Sequence, residues 1–424
     1  MKLTAYHGLY GSGTLLALSQ GKYRLILDCG SPFTMAQLAD DKSVHFRSKQ
    51  ELSDLQKWNL LPKVPGLFSG KDEGETIVLI SHLHLDHMAG MHLILPEIKV
   101  YLSEKSYQLN KALNESKVHQ REYSIIKDNE TLTFGPFQIK SVFTDHPCYG
   151  SVGHLIKVED QTIYYSGDHR YHGIHRSEAG RRIEELRKEN ISLLIVDALS
   201  DYPNTPVLPS KKVPEGRLKE EDIYHSLETI LKDSTSLGIF NLYNHDLSLM
   251  RQLKLTADKL NRQIVYEADS ARLLEEVLKE KPLILNRYAF DNPRLVSYEM
   301  INKNPGGYLI QNSYENSLYL CELETNDADY FHLFGAPFIQ DSLDAKRLKS
   351  ILETLNIHYH SYQSLFNFNH AYLENLLWMI DTINPQTVIP FHYSHPEKLQ
   401  AYDPKVQLLK ENTEYTLERG LLHE

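Results

Sequence analysis

Short apolar runs broken by Gly, Pro and Asp turns fill the first half of the chain, a rhythm that predicts strands. "GTLLALS" and "YRLILDCG" flank a break at Ser19-Gln20-Gly21, and the second run ends in Asp28 and Gly30. Between Pro32 and Gly74 the text turns polar and helical. Ser48, with Glu51 three residues on, predicts a capped helix in an insertion near the mouth of a site. "TIVLISHLHLDHMAG", "KVYLS", "TLTFGPFQIKSVFTDHP", "GHLIKVED" and "TIYYSGDHR" then read as strands, several ending in polar residues. A helix, "EAGRRIEELRKEN", leads to the apolar strand "ISLLIVDALSDY", which ends at Asp197.

From about 200 to 356 helices and strands alternate, as in "IYHSLETILKD", "LGIFNLYN", "DLSLMRQLKLTADKL" and "RQIVYEA". That rhythm predicts a separate parallel-sheet domain. The expected layout is therefore a first domain over 1–199, an insertion over 200–356 and a return to the first domain over 357–424. No internal repeat or low-complexity segment interrupts it.

A length of 424 residues accommodates these domains with substantial cores. The formal net charge of −11 opposes indiscriminate binding to nucleic acid or anionic membrane, while leaving room for a local basic groove. Cys29, Cys148 and Cys321 are too scattered for a disulfide framework or a thiolate zinc cluster. The opening "MKLTAYHGLYGSG" carries no apolar signal core, and no run approaches the roughly eighteen apolar residues of a membrane span. Cytoplasmic residence is the expectation.

The densest chemistry lies in His82-x-His84-x-Asp86-His87, directly after a β-branched strand. In an extended chain the side chains at 82, 84 and 86 project to one side, so His82 and His84 can share an ion. Asp86 and His87, where the chain turns off the strand, can reach a second. Imidazole and carboxylate without thiolate suit Zn²⁺, and also Mn²⁺ or iron. His146 follows "IKSVFTD", Asp168 closes "TIYYSGD" and His392 closes "TVIPFH". Each is a ligand type placed where a rigid sheet can hold it within the tolerance of a metal site.

This order of elements resembles the metallo-β-lactamase superfamily, whose fold is an αββα sandwich. The resemblance runs through Asp28, the histidine motif, His146, Asp168 and His392. It implies one divalent metal on His82, His84 and His146 and another on Asp86, His87 and His392, with Asp168 bridging both. Asp28 would steady the motif loop without ligating. Two metals sharing a hydroxide supply a nucleophile at neutral pH.

The segment between Asp197 and His392 resembles the β-CASP branch, which includes ribonuclease J and the endonuclease of pre-mRNA 3′ processing. There an acidic residue closes a strand just before an inserted α/β domain, as Asp197 does. A Gly-His-Ala then opens a helix that runs to a Pro and a Pro-x-His. Here the matching text is Asn369-His370-Ala371, "YLENLLWMIDTI", Pro385 and Pro390-Phe391-His392. "IFNLYNHDLSLMRQLKLTADKLNRQIVYEADS" is similar to the strand, helix and Arg-strand passage of ribonuclease J.

Apolar Leu373, Leu376, Leu377, Ile380 and Ile383 give this helix one buried face, and Asn369 is a suitable N-cap, so His370 is expected in its first turn. A helix N-terminus attracts phosphate. If Asp197 accepts from one ring nitrogen of His370, the other can donate to a leaving oxygen. Catalytic work thus falls to Asp86, Asp168, Asp197 and His370. His360 in "HYHSY" is the main rival for the place of His370, with His358 and His395 as further alternatives.

The chain departs from the branch at Asn369, where glycine is usual, and at the Pro-Cys-Tyr-Gly after His146. With its end at Glu424 it is expected to lack the C-terminal domain of ribonuclease J. In the helix after Asp246, Arg251, Lys254 and Arg262 stand off the apolar face; they could meet phosphates or be solvated helix charge. The expected function is a dinuclear phosphodiesterase that cleaves single-stranded RNA or DNA in a cleft between two domains. Small-ester, lactone or cyclic-phosphate hydrolysis is the second enzymatic reading, and an inactive binding subunit the third. The sequence is compatible with a homodimer.

Overall fold

In the computed structural model the described residues are 1–32, 47, 50–72, 74–114, 121–200, 207–288, 290–324, 327–338, 341–362, 369–393, 395–418 and 420–424. They form three sheets in two compact units. The first unit comprises Met1–Asn110, Ser116–Arg217 and Asn367–Glu424, and the second Lys111–Glu115 with Leu218–Phe366.

Two sheets make up the core of the first unit. One runs, in spatial order, through Leu421–His423, Glu414–Glu418, Lys2–His7, Leu15–Gln20, Tyr23–Leu27, Glu75–Leu79, Lys99–Ser103 and Ser124–Ile126. The other runs through Thr387–Phe391, Leu193–Asp197, Gln161–Tyr165, Val152–Val158, Phe137–Phe143 and Leu132–Phe134. Period-two alternation decides what each strand buries. Leu193 and Ile195 face the layer between the sheets, with Leu16, Leu18, Leu25 and Leu27 among its other members. Leu194 and Val196 face outward onto the helices Arg176–Leu186 and Leu373–Ile383. Both faces of the strand are thus buried, so its sequence is an unbroken apolar run. With Leu55 and Leu109 buried on the helices Glu51–Lys57 and Glu104–Asn114, the layers complete an αββα sandwich.

The capping box expected from Ser48 and Glu51 falls on a residue outside the described ones, Ser48, and Glu51 is already the first helical residue after Gln50. Its carboxylate faces His92 Nε2 at 3.0 Å.

The second unit is built on an all-parallel sheet in the order Leu295–Ser297, Leu283–Asn286, Gln263–Tyr266, Tyr308–Gln311, Leu237–Leu242, Ala328–Leu333 and Ile357–Ser361. Leu237, Ile239, Val265, Ile310 and Tyr330 anchor its core. Residues 207–217 stay with the first unit, where the Asn375 side-chain amide donates to the Ser210 carbonyl at 2.7 Å. Ile357–Ser361 pairs with Ala328–Leu333 and so lies in the second unit's sheet. Among the described residues no helix is long and apolar enough to cross a membrane.

Candidate metal centre

The centre grows from the ends of strands in the first unit. Glu75–Leu79 gives way to Ile80 and Ser81, and His82 and His84 follow in the loop. His84 is extended, at φ −78° and ψ 149°, and caps the single-turn helix Leu85–Met88 that carries Asp86 and His87. This turn separates the two pairs of motif side chains. It is held down by Thr14 N donating to the Asp86 carbonyl and Cys29 N to the His87 carbonyl, both at 2.8 Å. Gly30 permits that approach, since a Cβ there would fall 1.6 Å from the Asp86 carbonyl oxygen.

Two residues that close strands leave the normal backbone range. Asp28 at φ 59° and His392 at φ 60° both adopt the left-handed conformation that non-glycine residues seldom use. Such strain persists where the surroundings over-determine it. At Asp28 they do so: its buried carboxylate accepts from Ser81 N at 2.6 Å, Ser81 Oγ at 2.7 Å and His87 Nδ1 at 2.6 Å, and also from the Tyr165 hydroxyl. With Nδ1 donating to Asp28, the other nitrogen of His87 is turned toward Asp86 and Asp168. Asp28 is thus a positioning group, as the sequence resemblance implied. Ser81, Tyr165 and Thr14, whose hydroxyl lies 2.9 Å from His392 Nε2, were not singled out beforehand.

Asp168 stands in the middle with its two oxygens turned to different partners. Oδ1 lies 3.1 Å from His87 Nε2 and 3.4 Å from His392 Nδ1, whereas Oδ2 lies 3.6 Å from both His82 Nε2 and His146 Nε2. His84 Nδ1 is 3.0 Å from His146 Nε2. Asp86 Oδ2 is 3.6 Å from His392 Nε2. Ligand atoms of His82, His84, His146 and Asp168 all lie within 4.8 Å of one another, and so do those of Asp86, His87 and His392. Asp168 with Asp197, His370 and His392 forms a third such group.

The donor chemistry fits divalent cations. His82 Nε2, His87 Nε2, Asp86 Oδ1 and Asp168 Oδ1 are buried and make no hydrogen bond, an arrangement that costs free energy unless an ion takes up the lone pairs. Burial, reinforced by neighbouring imidazoles, holds the pKa of His82 and of His146 well below the usual histidine range, which keeps them in the neutral form that ligates. For His87 burial acts downward too, but Asp168, Asp28 and Asp86 outweigh it and raise the value. Burial likewise opposes ionisation of Asp168, yet His87, His392 and His82 pull its pKa well below the carboxylate norm. Asp86 is raised, by burial first.

His370 Nδ1 meets Asp197 Oδ2 at 2.7 Å and lies 3.8 Å from Asp168 Oδ2. Burial lowers its pKa, but Asp197 and Asp168 more than reverse this and bring it to about 9. Its backbone setting differs from the expected one. The helix begins at Leu373 with Tyr372 at the cap, so Asn369 does not cap it and His370 precedes its first turn. The cause is competition: the Asn369 carbonyl faces His146 Nδ1 at 2.9 Å while the His370 ring is held by Asp197, and the helix starts only beyond both contacts. The rivals fall elsewhere. His360 Nε2 bonds Asp329 at 2.8 Å in the second unit's sheet, beside His358, and His395 is exposed beside Glu397.

The basic residues suggested for phosphate contact are otherwise engaged. Arg251 pairs with Glu280 at 2.8 Å and Lys254 with Asp258 at 2.6 Å. Arg262 is buried and donates to the carbonyls of Ser236, Tyr308, Leu231 and Ser234. It closes the end of the helix Glu220–Leu231 instead of facing a ligand.

The chain was compared with known proteins. Residues 8–207 match the family model described as the metallo-beta-lactamase superfamily. No curated protein matches the chain. Among solved structures, a protein of unknown function from Enterococcus faecalis V583 is similar at 22% identity and a TM-score of 0.78, covering 100% of this chain and 99% of that one. The metallo-beta-lactamase fold protein YhfI from Bacillus subtilis is similar at 21% identity and a TM-score of 0.31, covering 48% of this chain and 73% of that one. Residues 8–207 thus resemble the metallo-beta-lactamase superfamily, and the buried histidine–aspartate centre, whose groups could hold metal ions, supports a metal-dependent hydrolase.

Proposed function

We propose that the chain is a dinuclear phosphodiesterase of the β-CASP type that cleaves single-stranded RNA or DNA. His82, His84 and His146 would hold one ion, Asp86, His87 and His392 the other, and Asp168 both; zinc suits this donor set. Divalent ions bound there supply Lewis acidity and lower the pKa of water into the neutral range.

The observation that carries the reading is the Asp197–His370 contact of 2.7 Å beside Asp168. It sets a protonated imidazole where it can give a proton to a departing alkoxide oxygen, as phosphodiester cleavage requires. The attacking water, oriented by the carboxylates of Asp86 and Asp168, gives up a proton to one of them as it forms the new oxygen–phosphorus bond. As the opposite phosphorus–oxygen bond breaks, His370 gives the leaving oxygen a proton from the nitrogen that Asp197 does not engage. Asp197 fixes the ring and its tautomer. The all-parallel α/β unit inserted after Asp197 supports the β-CASP assignment, as does the placement of His370 shortly before a helix that leads to His392.

Metal-loaded protein should be incubated with 5′-labelled, 5′-monophosphorylated single strands of RNA and DNA. Cleavage is expected, with mononucleotides marking stepwise trimming and internal fragments endonucleolytic cutting. His370→Ala should lower turnover by about 10²–10⁴-fold at unchanged metal content. Intact strands together with rapid turnover of a lactone or cyclic phosphate would replace this reading with the small-substrate one.

A further inference from the structure

A small cavity of the first unit adjoins the metal centre without including any of its ligands. Thr144, Asp145 and His169 form its polar wall, and Ala179, Ile183 and Met379, from the helices Arg176–Leu186 and Leu373–Ile383, stand among its apolar ones. It leaves about 10 Å³ to the centre of a water molecule, enough for one. We infer that this cavity is a hydration site, in which one ordered water joins Thr144 to His169 and so braces the strand ends that carry His146 and Asp168.

Polar atoms on the cavity wall point to water as the occupant. Thr144 Oγ1 and both ring nitrogens of His169 make no hydrogen bond, although the two residues are only 6% and 2% exposed. His169 interacts with the main chain of Asp197 without closing a hydrogen bond to it. The Tyr171 hydroxyl, also at the wall, is turned to Met379 Sδ at 3.2 Å. Burying a hydroxyl and an imidazole without partners costs free energy, which a water recovers by bridging them. Water both donates and accepts, so it can meet whichever role the ring and the hydroxyl take. Thr144 stands two residues before His146, and His169 directly follows Asp168. Arg170 N already donates to the Asp145 carbonyl at 2.7 Å, so the water adds a second tie between the same two segments. Thr144 and His169 thereby act as positioning residues for the centre, whichever substrate it takes.

A high-resolution crystal structure of the full-length protein should show density for one water within about 2.7–3.2 Å of Thr144 Oγ1 and of a His169 ring nitrogen. Thr144→Val keeps the shape of the side chain and removes its hydroxyl. That variant should lose the density and bind zinc about tenfold more weakly in competition with a chromophoric chelator, the lower end of what supporting contacts contribute. Thr144→Ser returns the hydroxyl and should restore both. Circular dichroism checks that each variant folds. A cavity without density in the unaltered protein would overturn the inference whatever the variants do, and so would equal zinc affinity in Thr144→Val and Thr144→Ser.

Discussion

Replacing Asp28 with asparagine keeps the shape of the side chain but leaves it one accepting oxygen in place of two. In the protein three groups donate to Oδ2, namely Ser81 Oγ, His87 Nδ1 and the Tyr165 hydroxyl, while Ser81 N donates to Oδ1. An amide that keeps its oxygen on Ser81 N turns an NH₂ group toward three donors. The least costly repair is a change of tautomer at His87, so that Nδ1 accepts and Nε2 carries the proton. Nε2 is the nitrogen that lies 3.1 Å from Asp168 Oδ1, and a protonated nitrogen cannot ligate. Loss of such a supporting contact costs 10–100-fold in metal affinity, or about 1.4–2.8 kcal/mol. Competition with a chromophoric chelator measures this directly, with circular dichroism to check folding. Affinity within twofold of the unaltered protein would refute the assignment of Asp28 as the group that sets the His87 tautomer.

Arg170 and Asp145 form a buried ion pair, Nε to Oδ1 at 3.3 Å, that joins the loops carrying Asp168 and His146; Arg170→Met should cost about 3–5 kcal/mol in urea unfolding, and a loss below about 1 kcal/mol would contradict this. Arg262→Met should destabilise by about 3 kcal/mol or more, because four carbonyls lose a charged donor, while the salt dependence of substrate binding stays as it was. His332, buried against the Gly335 carbonyl and Tyr359, has its pKa pushed down by burial to about 4. Its unfolded form takes up a proton below about 6.5 while the folded form does not until near 4. The stability it contributes is therefore complete above about 6.5 and is lost as pH falls toward 4, by about 3 kcal/mol at the limit. Urea midpoints at pH 7.5 and 5 should diverge less in His332→Gln, and an equal divergence would contradict the assignment.

How far the sequence revealed the centre depends on the range of each interaction. His82, His84, Asp86 and His87 are legible because they sit within a few residues of one strand, and His146, Asp168 and His392 because each follows an apolar run that ends where a sheet ends. The support around them was hidden. Ser81, Tyr165 and Thr14 come from separate strands and turns, and ordinary serine, tyrosine and threonine carry no periodic signal of their role. His370 was identified by its surroundings but misplaced onto the helix, because the contacts that delay helix formation, His146 to the Asn369 carbonyl and His370 to Asp197, span 223 and 173 residues. Arg262 was placed off the apolar face of the helix after Asp246, as a phosphate contact or a solvated charge, whereas it stands past the helix end at Lys259, and only the third dimension brings four carbonyls around it. The strand Ile357–Ser361 is short and histidine-rich, which by pattern alone associates it with the other histidines; its parallel pairing with Ala328–Leu333 assigns it to the second unit.

The central claim is that Asp168 divides two divalent ions between its oxygens, and anomalous diffraction from zinc-soaked crystals tests it most directly. The account predicts two peaks about 3.5–4 Å apart, one beside His82, His84 and His146 and one beside Asp86, His87 and His392, with Asp168 between them. Absence of any peak at Asp168 would contradict it, as would a single ion that leaves either group of histidines without metal.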